Sequence, residues 1–311
     1  AMSGPPPKMK LGFGLPTGGE WATPAAIDVV ARGAESLGYS SLWTFQRLLY
    51  PVAPRNEYYG APGGTWPETF KRTLDPIIVL ALAAARTTAI RLGVSVLIVP
   101  FYEPVVLGKQ LATLDLVSGG RLDVGLGIGW SLDEFEATGT PAARRGARAD
   151  EFIRCLKAVW TQDVVEFTGD FYRVPASRIA PKPVQRPHPP LLVGGYNDAV
   201  FRRAAELGDG YTGGNIPLAD MAAAVARVRA AAERAGRDPA TFPIVCRGSF
   251  NLTPAPLGPG RRGLWGSVDE IREDLRRYAD AGVTEMFLDA NFQPGGAVLD
   301  RVLGQMEALA P

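Results

Sequence analysis

The chain has 311 residues, 46% of them hydrophobic, with 33 basic against 32 acidic side chains and a single histidine. So even a charge balance excludes a general binder of nucleic acid or anionic membrane, which needs a basic excess to neutralise phosphates, and no apolar stretch has the length of a membrane span. Two cysteines, Cys155 and Cys246, are too few for a disulfide framework, and one histidine without a cysteine cluster cannot build a multi-histidine metal site, so no metal is expected.

Residues Ala1 to Met9 lack the apolar core of a signal peptide and are expected to be a disordered leader, partly an expression remnant, ahead of one domain over 10–311. Lys10 to Pro16 reads as a first strand. Thr23 then offers an N-cap and Pro24 an N1 residue to a helix with Ile27, Val30, Ala31, Ala34 and Leu37 at helical spacing, ended by Gly38. Ser40 to Phe45 is a second strand, followed by a long loop rich in proline and glycine. Asp75-Pro76 starts the next helix, and Ile90 to Ile98 is a β-prone third strand. Pro104 opens a helix closed by Gly119-Gly120, and Arg121 to Leu126 reads as strand four.

The second half repeats the rhythm. A helix over about 143–160 precedes a proline- and aromatic-rich insertion, 164–190, capped by a small hairpin. Leu191 to Val193 and Gly210 to Thr212 are short strands flanking a helix over Val200 to Leu207. Met221 to Ala235 is helical and Phe242 to Cys246 a strand. Ser267 with Glu270 makes a capping box for a helix ending near Gly282. Glu285 to Leu288 is the last strand, and Ala297 to Leu309 the last helix. Eight strands, each followed by a helix, predict an α/β fold, a (β/α)8 TIM barrel with insertion segments at its C-terminal face.

In such a barrel the chemistry gathers where strands end. Gly125-Leu126-Gly127-Ile128-Gly129-Trp130 departs from a dinucleotide fingerprint because Trp130 stands in place of the final glycine. Its glycines let the strand end approach either another backbone or a flat ring system with Trp130 on the wall. Val193-Gly194-Gly195-Tyr196 and Gly210-Tyr211-Thr212-Gly213-Gly214-Asn215 are strand-to-helix turns whose exposed N–H groups suit a phosphate, so an anionic cofactor is expected. Trp43-Thr44-Phe45-Gln46-Arg47 ends strand two. Arg47 either orients an anionic or carbonyl-bearing ligand or pairs with a loop carboxylate such as Glu57 or Glu68.

Other constellations carry less. His188, within Arg186-Pro187-His188-Pro189-Pro190, reads as a surface-loop residue, and neither cysteine has a nearby base. Asp133 and Glu134 follow strand four and either face the mouth or, the preferred reading, are helix-start or solvated carboxylates. The chain lacks an obvious nucleophile or acid–base pair, which fits an enzyme whose cofactor carries the reactivity.

At Arg91 to Pro100, Glu103 to Asp115 and Ser118 to Leu122 the chain resembles the luciferase-like monooxygenase superfamily. The likeness runs on through Gly125 to Trp130, Leu156 to Trp160, Phe167 to Tyr172, Ala180 to Gln185, Pro189 to Gly195 and Leu207 to Tyr211. It covers nearly the whole chain in order and is strongest to oxidoreductases that use the deazaflavin F420. The resemblance implies a bulge in strand three with a non-prolyl cis peptide at Ser95–Val96 supporting a tricyclic ring. It places Gly127, Ile128 and Gly129 at the pyrimidine edge of that ring, with Trp130 beside them. Gly194 and Gly195, with Tyr211, Thr212, Gly213 and Gly214, match the segments at the phosphate.

Two departures redirect the reading. Many relatives have Asp-His where Gln46-Arg47 stand here, and sugar-phosphate dehydrogenases of the family carry Glu at the position of Trp130. Reduction of a C=C, C=N or C=O bond is therefore expected, with Arg47, Gln46 and Trp43 as candidate catalytic residues and Arg47 holding the acceptor. An FMN-dependent monooxygenase is the alternative, and a non-catalytic flavin- or deazaflavin-binding protein the third. The loop 48–74, with Tyr50, Tyr58, Tyr59 and Trp66, either walls a bulky aromatic pocket or packs to anchor itself. A cytoplasmic homodimer with a small-molecule substrate is expected, without nucleic acid or membrane.

Overall fold

Parallel strands buried on both faces need continuous apolar character, and the short runs found in the sequence supply it. The computed structural model describes residues 8–60 and 62–311; most of the expected leader, 1–7, lies outside the described residues. In chain order the strands are β1 (Lys10–Gly14), β2 (Ser41–Thr44), β3 (Arg91–Ile98), β4 (Leu122–Gly127), β5 (Val165–Thr168) and β6 (Arg173–Ser177). There follow β7 (Leu191–Gly194), β8 (Gly210–Gly214), β9 (Ile244–Ser249), β10 (Asn251–Leu252), β11 (Trp265–Gly266) and β12 (Glu285–Asp289). Eight of them close a parallel barrel in the order β1, β12, β9, β8, β7, β4, β3, β2, while β5–β6 and β10–β11 form separate two-stranded sheets. The chain folds as the expected TIM barrel.

Helices α1 (Pro24–Ser36), α2 (Pro76–Arg86) and α3 (Pro104–Val117) cover the first strands. Their starts follow from local chemistry, since Thr23 accepts from the Ala26 N–H at 3.1 Å and Asp75 from Ile77 and Ile78 at 2.9 and 3.0 Å. A short helix, α4 (Leu132–Thr138), starts where Asp133 and Glu134 read as helix-start residues and precedes α5 (Arg145–Thr161). Then come α6 (Asp198–Leu207), α7 (Leu218–Arg234), α8 (Val268–Asp280) behind the expected Ser267/Glu270 capping box, and α9 (Leu299–Ala308). The β5–β6 turn docks on α5, where the Glu151 carboxylate accepts from the N–H groups of Asp170, Phe171 and Tyr172 at 2.9 to 3.0 Å. Among the described residues no helix is long and apolar enough to cross a membrane.

The core has three compartments. The largest lies between barrel and helices. Inside the barrel, Trp43 stacks on Phe287 at 5.0 Å, packed with Leu192 and Val245, and Gly93 leaves room for the Trp43 ring. Over the mouth, the loop after β2 brings Tyr58, Trp66 and Phe70 against Phe45, with Trp130 and Phe292 beside them. Both open readings of this loop thus hold, for its aromatics pack together and some of them also face a cavity.

Candidate active site

The site begins with a defect in a strand. Pairing of β3 with β4 shifts register between Val94 and Leu97, so the chain bulges at Ser95 and Val96. The Ser95–Val96 peptide is cis, as the resemblance implied. The bulge pushes the Val96 side chain between two neighbouring strands. A Cβ on Gly127 would meet Val96 at 2.6 Å, and one on Gly194 would meet it at 2.8 Å. Ser95 is fixed on both sides, its hydroxyl sharing a 2.9 Å hydrogen bond with Thr212 and its carbonyl accepting from Arg247 Nη2 at 2.6 Å.

Above the bulge opens a cavity of about 410 Å³. Of the sequence candidates, Gln46, Arg47, Ser95, Val96, Gly127, Ile128, Gly129, Trp130, Gly194, Gly195, Thr212 and Gly214 line it together. Trp43, Tyr211 and Gly213 do not. Trp43 belongs to the barrel interior, 1% exposed, with its indole N–H donating to Ser41 Oγ, so it cannot touch a ligand in the cavity. Tyr211 lies behind the lining and donates its hydroxyl to the Gly195 carbonyl at 2.6 Å, holding the turn rather than a ligand. Gly125 answers the choice left open for its motif, because its Cβ position lies 2.2 Å from the Val94 carbonyl and serves close backbone packing.

The two glycine-rich turns lock to each other. Gly214 N–H donates to the Tyr196 hydroxyl at 3.0 Å, and that hydroxyl donates to the Gly214 carbonyl. Asn197 caps α6 by accepting from Val200 N–H at 3.0 Å. At this end of the lining stands Arg145, the first residue of α5. Its only protein partner among the described residues is the Ala142 carbonyl at 3.3 Å, and its buried Nε has none. Arg144 caps α5 without a side-chain hydrogen bond, and no acidic residue occupies the first turn. Cations at a helix N-terminus oppose its dipole, so this end is built for an anion.

The opposite end is balanced differently. Arg47 pairs with Glu134, Nε to Oε1 at 2.9 Å and Nη2 to Oε2 at 2.6 Å, rather than with Glu57 or Glu68. The helix-start reading of Glu134 holds, but the solvated one does not: its residue is 0% exposed, and it also accepts from Leu48 N–H at 2.8 Å. Arg47 therefore meets the cavity with its charge neutralised, its guanidinium over Trp130 at 4.8 Å and Phe70 at 5.5 Å. Gln46 is spent in the same way, accepting from Ile98 N–H at 2.8 Å and donating to Tyr102 at 2.5 Å. Arg247 lies 3.0 Å from Asp289.

Nothing here is poised for nucleophilic or acid–base work. Burial pushes the Tyr58 and Tyr102 hydroxyls up to about 12, and the Cys246 thiol likewise to about 12. His188 lies in the expected loop, but its side chain is turned inward, 8% exposed and 5.7 Å from the Trp160 ring, outside the cavity lining.

Sequence reasoning missed Arg145, Arg247 and Phe292, and named Glu134 without its partner Arg47. Arg247 follows a strand expected to stop at Cys246; β9 runs on to Ser249 by pairing with β12, which lifts Arg247 to the mouth. Arg144-Arg145-Gly146-Ala147-Arg148, basic without an acid at a helix start, was a visible signal for the anion end. Phe292 had none.

The family model for luciferase-like monooxygenases matches residues 9–256. The chain belongs to this family. An uncharacterised Mycobacterium tuberculosis protein is 30% identical over 305 residues, covering 96% of this chain and 99% of its own. The FMNH2-dependent dimethylsulfone monooxygenase of Pseudomonas putida is 45% identical over 118 residues, 37% of this chain and 32% of that one. Among solved structures, the F420-dependent tetrahydromethanopterin reductase of Methanopyrus kandleri superposes with a TM-score of 0.76 at 17% identity, covering 98% of both chains. That likeness shows the fold alone. Family membership establishes a luciferase-like oxidoreductase or monooxygenase domain.

Proposed function

We propose that the protein is an F420-dependent oxidoreductase that delivers hydride to a C=C, C=N or C=O bond of a small organic acceptor. The observation that carries the reading is the make-up of one cavity, whose lining joins a flat slot over the Val96 bulge, two glycine-rich turns and Arg145, a cation without a carboxylate partner among the described residues. The residues fit such a group. The orphaned Arg145 Nε and the N–H groups opening α6 would hold a phosphate, and Ser95 to Val96 with Gly127 to Gly129 would bed a planar ring. Arg144 and Arg148, each 4.8 Å from the Phe171 ring, add positive charge around the start of α5, that of Arg144 offset by Asp170 at 3.2 Å.

When bound, the reduced deazaflavin supplies a hydride donor. The chain's own contribution is placement. The aromatic wall excludes water from the reacting face, and the Arg47–Glu134 pair fixes Trp130 and Phe70 rather than acting as acid or base. No protein group is needed to carry a proton across the slot, because proton uptake by the product can come from solvent at the open mouth.

One observation favours a second reading, an FMN-dependent monooxygenase: the 118-residue segment 45% identical to the dimethylsulfone enzyme. Equilibrium titration of the purified protein with F420 and with FMN, followed by fluorescence quenching, decides between them. Preferential binding of F420 is expected. Preference for FMN would move the reaction to oxygen chemistry, and binding of neither would remove the catalytic reading altogether.

A further inference from the structure

The charges around the cavity are balanced at one end only. At the glycine turns Arg145 has no carboxylate partner among the described residues. Elsewhere each guanidinium is matched, Arg47 by Glu134 at 2.6 Å and Arg247, which spans from Gly214 to the Phe45 and Phe292 rings, by Asp289 at 3.0 Å, with side chains 0% and 2% exposed on the two carboxylates. The Gln46 amide is used up on Ile98 and Tyr102. What lines the void there is aromatic, Phe45, Tyr58, Tyr59, Phe70, Trp130 and Phe292, with the two tyrosine hydroxyls as neutral polar atoms among the rings. These rings form one continuous wall, with centroid separations of 5.6 Å for Tyr58–Trp130, 5.8 Å for Tyr59–Trp130 and 5.2 Å for Phe45–Phe292.

An anion entering this half would lose its water and find no uncompensated cation. A cation fares no better, since the carboxylates are occupied and the Trp130 and Phe70 faces already hold the Arg47 guanidinium. A planar apolar molecule loses nothing and buries its faces against the rings. From this charge map we infer that the substrate half takes a neutral, planar, largely apolar acceptor such as a fused aromatic ring system, and rejects phosphates, sulfonates and ammonium ions of the same shape. The inference rests on giving the Arg145 end to an anionic cofactor.

The test is calorimetric titration of the cofactor-saturated protein with three probes of one shape: 1-naphthol, naphthalene-1-sulfonate and 1-naphthylmethylammonium. Binding of 1-naphthol at least about tenfold tighter than either ion is expected, from the desolvation penalty of an unpaired charge. Asp289→Asn, which leaves Arg247 uncompensated, should narrow the gap by raising sulfonate affinity; should that variant not fold, the wild-type ranking decides alone. Sulfonate or ammonium bound as tightly as 1-naphthol, or no 1-naphthol bound, overturns the inference. Failure of the cofactor reading shows separately, as absent binding in the F420 and FMN titrations, and the probe ranking is then read on the protein without cofactor.

Discussion

Glu134 approaches Arg47 with both carboxylate oxygens, at 2.9 Å from Nε and 2.6 Å from Nη2, across 87 residues of sequence. The pair ties the helix after β4 to the end of β2 and sets one wall of the cavity. Both groups are nearly dry, so each is tolerated only because of the other. Glu134→Gln should destabilise the fold by about 3–5 kcal/mol, since it strands a buried guanidinium. Arg47→Met with Glu134→Leu should recover most of that loss. Urea denaturation of the two variants checks it, and equal loss in both would mean that the pair does not govern this wall.

Val96 sits where Gly127 and Gly194 leave space for it, and no larger residue fits at either position without moving it. Gly127→Ala should cost about 1–3 kcal/mol through overpacking. Adding Val96→Ala to that variant should return part of the stability, giving a coupling energy of about 0.5 kcal/mol or more in a double-mutant cycle by chemical denaturation. Additive effects would show that the glycine serves something other than the bulge.

These cases mark what was legible in the sequence. The barrel was, because buried parallel strands and capped helices leave local signatures such as Thr23-Pro24, Asp75-Pro76 and Ser267 with Glu270. Most of the cavity lining was too, because barrel topology places strand ends at one mouth. Partners were not. The choice of Glu134 by Arg47 depends on where α4 folds back, and the orientation of Trp43 into the barrel depends on the strand's pleat against Gly93. Both are fixed by three-dimensional packing with no local spacing rule behind them.

Glu285, at the opposite end of the barrel from the site, gives a pH dependence free of catalysis. Burial raises its carboxyl from 4.5 to about 7, with repulsion from Asp123 adding to the effect and Lys10 partly offsetting it. Its folded value exceeds its unfolded one, so its favourable contribution is full below pH 4.5 and is lost as pH rises through about 7. The loss is on the order of 3 kcal/mol. Glu285→Gln, which mimics the protonated acid, should flatten stability between these pH values and leave the variant more stable than the parent at pH 8. A parent whose denaturation midpoint does not fall over that interval would contradict the assignment.

Arg145 offers the cleanest separation of binding from folding. It stands at the positive end of α5 with one 3.3 Å contact to the Ala142 carbonyl, so the fold gains little from it. Arg145→Ala should therefore leave the melting temperature unchanged or slightly raised. A phosphate held there would lose a charge-assisted hydrogen bond, about 1.5–3 kcal/mol. Titrating parent and variant with the cofactor that binds, and with its phosphate-free ring-and-ribityl fragment, isolates that contribution. The phosphate-bearing molecule should weaken by roughly 10- to 150-fold on this basis, and the fragment hardly at all. Equal weakening of both would place Arg145 against the ring instead and reverse the orientation of the ligand in the cavity.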